Sequence, residues 1–279
     1  MSAIGILYSA KVADGARLAA DVQTWLRDRG REAWLEPTSR PEEARAHLGR
    51  SSLLIVLGGD GTTLLAARLA AGCEAPILSI NLGRVGFLSE ADPANWPQVL
   101  ERVLAGDHWI ERRLMLDGRV VRAGGDLGRL TALNDIVVSR GIQVRMVRFH
   151  LYVDGDHVTT YSADALIVAT PTGSTAYSMA AGGPLLPPQL QNFLVLPVAP
   201  HLSFERPLVL HQQAEVKIRL EMEQAAVVSA DGQDTVELES GDEVIIGRHA
   251  QDSLFVRVSE PSYFYLRLMQ KLSFWSLKQ

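Results

Sequence analysis

Apolar and polar positions in the first part of the chain follow two alternating patterns. Short apolar runs predict buried strands, and the segments between them have apolar residues every three or four positions, which predicts amphipathic helices. The predicted strands are Ile4–Tyr8, Ala33–Leu35, Leu53–Leu57 and Ile77–Ile80. The predicted helices are Val12–Arg29, Pro41–Leu48, Thr62–Ala70 and a segment that opens at Asp92-Pro93 and closes at Gly106. Strands that alternate with helices predict a parallel sheet wrapped by helices.

From about Glu111 the pattern becomes a strict alternation of apolar and polar residues, which predicts half-buried strands. The predicted strands in this part are Arg148–Asp156 (ending in an Asp-Gly turn), Glu215–Leu220, Ala226–Ala230, Glu243–Ile246 and Leu254–Val258. Many short strands joined by tight turns are typical of a β-sandwich. The tail Ser262–Trp275 returns to helical spacing, and we expect this helix to pack on the first domain.

These patterns predict a two-domain protein of mixed class, α/β plus all-β. A Rossmann-like α/β domain would contain residues 1–110 and 260–279, and a β-sandwich domain would contain residues 111–259. Because ligands of parallel sheets bind beyond the carboxyl ends of the strands, the loops after Leu57 and Ile80 are candidate binding loops.

Composition excludes several classes of protein. The 279 residues carry a formal net charge of −5, which disfavours a general nucleic-acid binder. No apolar run approaches the roughly 18 residues of a membrane span, and the first residues lack the charged start of a signal peptide. A single cysteine, Cys73, predicts a reduced, cytoplasmic setting.

The turn Gly58-Gly59-Asp60-Gly61-Thr62 is the first candidate site. It joins a buried strand to a helix that Thr62 could cap, and its glycines would let a phosphate approach the backbone at a helix N-terminus. A carboxylate with no role in the reaction would be unfavourable here, because its negative charge would repel a phosphate. Asp60 is therefore better explained as a proton acceptor or cation ligand in phosphoryl transfer. The alternative is a tight strand–helix turn that happens to contain an aspartate.

Two established phosphate motifs are absent. The chain has no Gly-Lys pair, which excludes a G-x-x-x-x-G-K-[ST] loop. The G-x-G-x-x-G pattern fails because Leu64 occupies the third glycine position, which disfavours an ordinary dinucleotide fold.

Two further segments are rich in polar groups. Thr170–Ser178 follows Asp164 and the apolar run Ala165–Ala169. This segment offers many hydroxyls, and Tyr177 could stack on a base. Asn134-Asp135 stands just before another apolar run and could bond a ribose or carboxamide. Taken alone, the first segment is equally compatible with an ordinary turn, and the second is better explained as one.

Taken together and in this order, these segments resemble the NAD kinase family. The similarity covers the G-G-D-G-T turn, Asn81–Phe87, the Asn-carboxylate pair, the T-P-T-G-S-T-A-Y loop and the turn Ser229–Gln233. The resemblance implies ATP-dependent phosphorylation of the 2′-hydroxyl of the adenosine ribose of NAD, which gives NADP. It also implies an α/β domain with a β-sandwich, assembled as a homodimer or homotetramer in which a neighbouring subunit completes the NAD site.

The resemblance also implies roles for individual residues. Asp60 matches the catalytic base, and Mg²⁺ would arrive with ATP because the sequence shows no dedicated ligand cluster. The residues implied for the ATP phosphates are Gly58, Gly59, Gly61 and Thr62. The residues implied for NAD are Asp60, Gly61, Phe87, Asn134, Asp135, Arg145, Asp164, Thr175, Ala176, Tyr177, Ser178 and Gln233.

Two other functions remain open from the sequence. The G-G-D-G-T motif also occurs in lipid kinases of the diacylglycerol and sphingosine type, which would need an apolar acceptor cleft. A non-catalytic dinucleotide sensor on the same fold would be expected to have lost the base, yet Asp60 is present.

Overall fold

The computed structural model describes residues 3–83, 86–141, 147–201, 205–222 and 225–276, with side chains through residue 270. The chain forms two compact units, Met1–Arg112 with Ser253–Gln279, and Arg113–Asp252. The strands are β1 Ala3–Tyr8, β2 Ala33–Pro37, β3 Ser51–Gly58, β4 Ile77–Asn81, β5 Trp109–Arg113, β6 Leu116–Arg122, β7 Gly125–Ala132, β8 Asp135–Arg140, β9 Val147–Val153, β10 Asp156–Ala163, β11 Ala165–Ala169, β12 Asn192–Val198, β13 Leu208–His211, β14 Val216–Glu221, β15 Ala226–Ala230, β16 Asp234–Leu238, β17 Glu243–Arg248 and β18 Ser253–Arg257. The helices are α1 Gly15–Arg27, α2 Pro41–Leu48, α3 Asp60–Leu69, α4 Trp96–Leu104, α5 Tyr177–Ala180 and α6 Tyr263–Ser276.

The first unit is built on a six-stranded sheet in the order β2-β1-β3-β4-β18-β5. Strands β1 to β4 pair in parallel, as the alternation of strands and helices predicts. The run Leu53–Leu57 of β3 is almost fully buried, because a central parallel strand is covered on both faces. The apolar stripe of α1, which includes Val22 and Leu26, packs into the same core.

Three helix starts differ from the predictions by two residues or more. Helix α1 begins at Gly15 rather than at Val12, because the preceding residues form turns. Helix α3 begins at Asp60 rather than at Thr62, so Thr62 lies within the first turn and is not the N-cap. Helix α4 begins at Trp96, because the Asp92 carboxylate accepts hydrogen bonds from the N–H groups of Ala94 (2.8 Å) and Asn95 (3.2 Å) and forms a turn instead of a helix start.

The second unit is a β-sandwich, as predicted. One sheet has the order β10-β9-β14-β17-β6-β7 and the other has the order β13-β12-β11-β8-β15-β16. Alternate residues of both sheets form one apolar core, in which Phe149 and Phe193 are fully buried. The predicted Asp154-Gly155 hairpin turn is confirmed, since both residues have positive φ (52° and 91°).

One predicted strand belongs to the other sheet. Leu254–Val258 was predicted as a strand of the sandwich, but β18 pairs in parallel with β4 through Phe255 and Ile77. The alternation of residues predicts that a segment is a strand and not which strand it pairs with. Here Phe255, Val256 and Arg257 are all buried, as expected inside a parallel sheet. Helix α6 follows in the same unit.

Among the described helices, none is long and apolar enough to cross a membrane.

Candidate active site

The glycine turn between β3 and α3 contains two kinds of glycine. At Gly58, a Cβ atom would lie 2.3 Å from Thr62 Oγ1, so the packing of Thr62 requires a glycine there. At Gly59 and Gly61, a Cβ atom would meet nothing within 4 Å, and neither residue has a positive φ. The protein's own packing therefore does not explain these two glycines, whereas a ligand lying against the backbone would.

The Asp60 carboxylate is held by a neighbouring loop of the same unit. Oδ2 accepts a hydrogen bond from the N–H of Phe87 at 3.0 Å, and Oδ1 accepts one from the N–H of Leu88 at 3.2 Å. A Cβ atom at Gly86 would lie only 1.9 Å from Asp60 Oδ1. The loop thus passes so close to the carboxylate that only glycine fits, and it fixes the direction in which the carboxylate points.

In the second unit, the start of β8 is supported by Asp231. One carboxylate accepts hydrogen bonds from three consecutive N–H groups, those of Leu133 (3.0 Å), Asn134 (2.8 Å) and Asp135 (3.3 Å). Asp231 itself has a left-handed backbone (φ 51°), which an aspartate tolerates better than most residues. This arrangement fixes the backbone of the predicted Asn-carboxylate pair.

Asp135 is only 5% exposed. Burial, together with the negative charge of Asp231, raises the pKa of the Asp135 carboxyl from 3.8 to about 7. At neutral pH this carboxyl is present in both forms, so it can donate a hydrogen bond as well as accept one.

The hydroxyl-rich loop after β11 uses most of its hydroxyls internally. Thr170 Oγ1 donates to the carbonyl of Leu133 at 2.5 Å, and Thr175 Oγ1 donates to the carbonyl of Thr172 at 3.1 Å. Ser174 Oγ donates to the carbonyl of Pro171 at 2.7 Å. The protons of these three hydroxyls are therefore used within the protein, and a ligand would meet their oxygens as acceptors.

The same loop packs tightly on the Asn-carboxylate pair. The N–H of Thr170 donates to the carbonyl of Asn134 at 2.8 Å, and a Cβ atom at Gly173 would lie 2.1 Å from that carbonyl oxygen. Gly173 is therefore required by this close approach. Tyr177, in contrast, is 44% exposed and available for stacking on a ligand.

A cavity of about 420 Å³ in the second unit brings four of the predicted NAD-binding residues together. Its lining includes Asn134, Asp135, Ala176, Tyr177, Val137 and Asp231. Sequence reasoning missed Asp231 as a site residue, because an Asp-Gly pair between two strands is also the ordinary signature of a hairpin turn.

The remaining predicted residues lie elsewhere or have other partners. Asp164 forms an ion pair with Arg140 (Nε to Oδ1, 2.8 Å), and Gln233 lies exposed in the β15–β16 turn. Ser178 is fully buried, and its hydroxyl has no hydrogen-bond partner within the described part of the chain. Arg145 lies outside the described residues. Asp60, Gly58, Gly59, Gly61, Thr62 and Phe87 belong to the first unit.

The described residues contain no group of three or more His, Cys, Asp or Glu side chains that could hold a metal ion.

Two family models match most of the chain. The model of the ATP-NAD kinase N-terminal domain matches residues 13–108, and that of the ATP-NAD kinase C-terminal domain matches residues 133–258. The chain belongs to the NAD kinase family. The NAD kinase of Syntrophotalea carbinolica is 38% identical over 273 residues, which cover 95% of this chain and 96% of that protein. The NAD kinase of Heliobacterium modesticaldum is 39% identical, with the same coverage of both chains.

Solved structures of the NAD kinase family share the fold. The NAD kinase of Archaeoglobus fulgidus, solved in complex with ATP, aligns with a TM-score of 0.77 at 27% identity and covers 97% of this chain and 98% of its own. Yeast NADH kinase, solved with NADH, aligns with a TM-score of 0.82 at 24% identity, over 98% of this chain and 88% of its own. The lipid-kinase and sensor alternatives are not favoured by these comparisons.

Proposed function

We propose that this NAD kinase family member transfers the γ-phosphoryl group of ATP to the 2′-hydroxyl of the adenosine ribose of NAD, with Asp60 as the base. The observation that carries the proposal is the carboxylate of Asp60, fixed by two backbone N–H groups at a turn whose open glycines leave room for a ligand. The family match over both domains supplies the reaction.

The chemistry proposed for Asp60 is proton transfer. The ribose O2′ forms a bond to the γ-phosphorus, the bond from that phosphorus to the oxygen bridging to the β-phosphate breaks, and ADP leaves with the electron pair. Asp60 accepts the proton of the 2′-hydroxyl. Each carboxylate oxygen can still accept a second hydrogen bond while it accepts one from Phe87 or Leu88, so the contacts that orient Asp60 leave its basic function intact.

The glycine turn is proposed to bind the phosphates of ATP. The positions of Gly59 and Gly61 are open, and the start of α3 directs N–H dipoles and a partial positive charge outward. Thr62 lies in the same helical turn. The Asp60 carboxylate would contact a Mg²⁺ ion that arrives bound to the nucleotide, and that ion would neutralise phosphate charge.

The cavity of the second unit is proposed to bind NAD. Asn134 and Asp135 would bond the ribose hydroxyls, and the exposed ring of Tyr177 would stack on the adenine. The remaining NAD contacts proposed from the family resemblance are Gly61, Phe87, Arg145, Asp164, Thr175, Ala176, Ser178 and Gln233. We also propose a cytoplasmic homodimer or homotetramer, in which a neighbouring subunit completes the site.

The variant Asp60→Asn tests the proposal. We expect kcat to fall by about 10²–10⁴-fold while the dissociation constant of NAD changes by no more than a few-fold. Because the new amide would point its NH₂ group at one of the two loop N–H donors, the folded fraction must be checked by thermal unfolding. A folded variant that keeps more than a tenth of the wild-type kcat would remove Asp60 from the mechanism.

A further inference from the structure

The loop that holds Asp60 is itself held by a buried group of charged side chains in the first unit. We call this group the Arg257 cluster; it consists of Glu90, Glu111, Arg257, Tyr263 and Arg267. The side chains of Arg257, Glu90 and Glu111 have no exposed surface. The cluster joins β18, β5 and α6 to the segment that follows Phe87.

Arg257 lies at the centre of the cluster and bonds in three directions. Its Nε donates to Glu111 Oε2 at 2.9 Å, and its Nη1 donates to Glu90 Oε2 at 3.2 Å. The same Nη1 also donates to the carbonyl oxygen of Leu88 at 3.0 Å. One guanidinium therefore bonds both the side chain and the backbone of the loop.

Leu88 connects the cluster to the proposed base. Its carbonyl accepts from Arg257 at 3.0 Å, and its N–H donates to Asp60 Oδ1 at 3.2 Å. Only one residue thus separates Arg257 from the Asp60 carboxylate. A shift of the Leu88 backbone would change the direction of that carboxylate even if the backbone of Asp60 stayed in place.

The loop is fixed at its other end as well. Glu90 Oε1 accepts hydrogen bonds from the N–H groups of Val258 (2.9 Å) and Ser259 (2.6 Å), and Arg267 donates to the carbonyl of Ser89. Segment 88–90 is thereby bonded through backbone and side chain to β18, to α6 and to the residues between them.

Stability alone is a weak explanation for this cluster. Removing charged groups from water is costly, and well-packed apolar residues often stabilise a core as well as a buried ion pair does. A rigid, directional array of hydrogen bonds instead fixes backbone positions, and small displacements at a reacting group can lower the rate by two orders of magnitude.

We infer that Arg257 is a positioning residue for phosphoryl transfer, which acts through Leu88 to orient the carboxylate of Asp60. The inference rests on the proposed function, since it requires Asp60 to be the base. The Arg257 cluster does not touch the substrates in this account. It holds the segment that supplies the hydrogen bonds to Asp60.

The test compares Arg257→Lys with Tyr263→Phe. Lysine keeps the charge, but its single nitrogen lacks the forked geometry needed to bond Glu111, Glu90 and the Leu88 carbonyl together. Phenylalanine keeps the ring of Tyr263 but loses its hydroxyl contacts with Glu111, at 2.9 Å from both oxygens, and so weakens the cluster away from the loop. Both variants are assayed for NADP formation well below their melting temperatures.

We expect Arg257→Lys to lower kcat by about ten- to a hundredfold, with the KM values for NAD and ATP within about twofold of wild type. Tyr263→Phe should stay within about twofold in kcat. Hydrogen exchange of segment 86–90 should become faster in Arg257→Lys and not in Tyr263→Phe. A folded Arg257→Lys protein with wild-type kcat, or an equal loss in both variants, would overturn the inference.

Arg267→Met provides a second route if Arg257→Lys does not fold. Arg267 bonds Ser89 and Glu90 from α6, and its side chain is 15% exposed, so its loss is easier to tolerate. A fall of about threefold or more in kcat with unchanged KM values supports the inference, and wild-type kcat contradicts it. If the wild-type protein itself makes no NADP, the proposed function fails, which is a separate outcome from any difference between variants.

Discussion

Replacing Asp135 with asparagine should stabilise the protein, and by more at high pH than at low pH. The Asp135 carboxyl is buried beside Asp231, and both burial and that neighbouring charge raise its pKa to about 7. An unfolded chain ionises this group near its usual pKa of 3.8. The folded wild-type protein therefore resists an ionisation that the unfolded chain undergoes freely, whereas the neutral amide introduced by Asp135→Asn does not ionise at any pH.

The sign and size of the effect follow from the two pKa values. Because the folded pKa is the higher one, the stability contributed by protonated Asp135 is complete below pH 3.8 and is lost as the pH rises through about 7. The difference between the two pKa values lowers the free energy of unfolding of the wild-type protein by about 4 kcal/mol in total, and about 3 kcal/mol of this loss occurs between pH 5 and pH 8. For a protein of this size, that is roughly 5–10 °C in Tm.

The assay is thermal unfolding of wild type and Asp135→Asn, without nucleotide, at pH 5 and pH 8. Taking the difference between the two proteins at each pH cancels the titration of groups unaffected by the substitution. We expect the Tm advantage of Asp135→Asn to grow by several degrees from pH 5 to pH 8. An advantage that stays constant, or that shrinks at pH 8, would refute the reasoning about this carboxyl.

Three further predictions concern the glycine turn of the first unit, the cavity of the second unit and the requirement for a metal ion. Gly86→Ala should lower kcat by more than tenfold with little loss of stability, because the new methyl group would displace the Asp60 carboxylate rather than the backbone. The control for kcat and Tm is Gly49→Ala, since a Cβ atom at Gly49 would meet nothing within 4 Å. Asn134→Ala should raise the KM for NAD far more than that for ATP, since unpaired ribose hydroxyls cost about 1–3 kcal/mol; equal changes would indicate a merely structural turn. Treatment with EDTA should abolish activity and leave Tm almost unchanged, and added Mg²⁺ should restore activity in proportion to the Mg·ATP formed. A Tm that EDTA lowers by many degrees would reveal a structural metal.

Patterns in the sequence were sufficient to predict the architecture. Apolar runs and helical spacing predicted the four parallel strands of the first unit, and alternation predicted the sandwich. What they could not predict was pairing between distant segments. Strand β18 lies beside β4 because of contacts across most of the chain length, and no local pattern records such contacts.

The site was predictable where its chemistry is local and not where it depends on tertiary contacts. The family motifs pointed to Asp60 and to the pair Asn134-Asp135, and their roles as site residues remain predictions. The hydrogen bonds that fix them come from Leu88 and Asp231, which are 28 and 96 positions away from Asp60 and Asp135. Arg257 carried no signal, because a lone arginine in a strand is ordinarily expected at the surface.

The central claim is tested most directly by incubating the purified protein with NAD and Mg·ATP and identifying the phosphorylated product. Phosphorus NMR of the product should show a new phosphomonoester on the 2′-oxygen of the adenosine ribose, formed in equal amount to ADP. The matched Asp60→Asn protein should form it at least about a hundredfold more slowly. If the wild-type protein binds NAD but forms no such product, or if Asp60→Asn forms it at a rate near that of wild type, the account is contradicted.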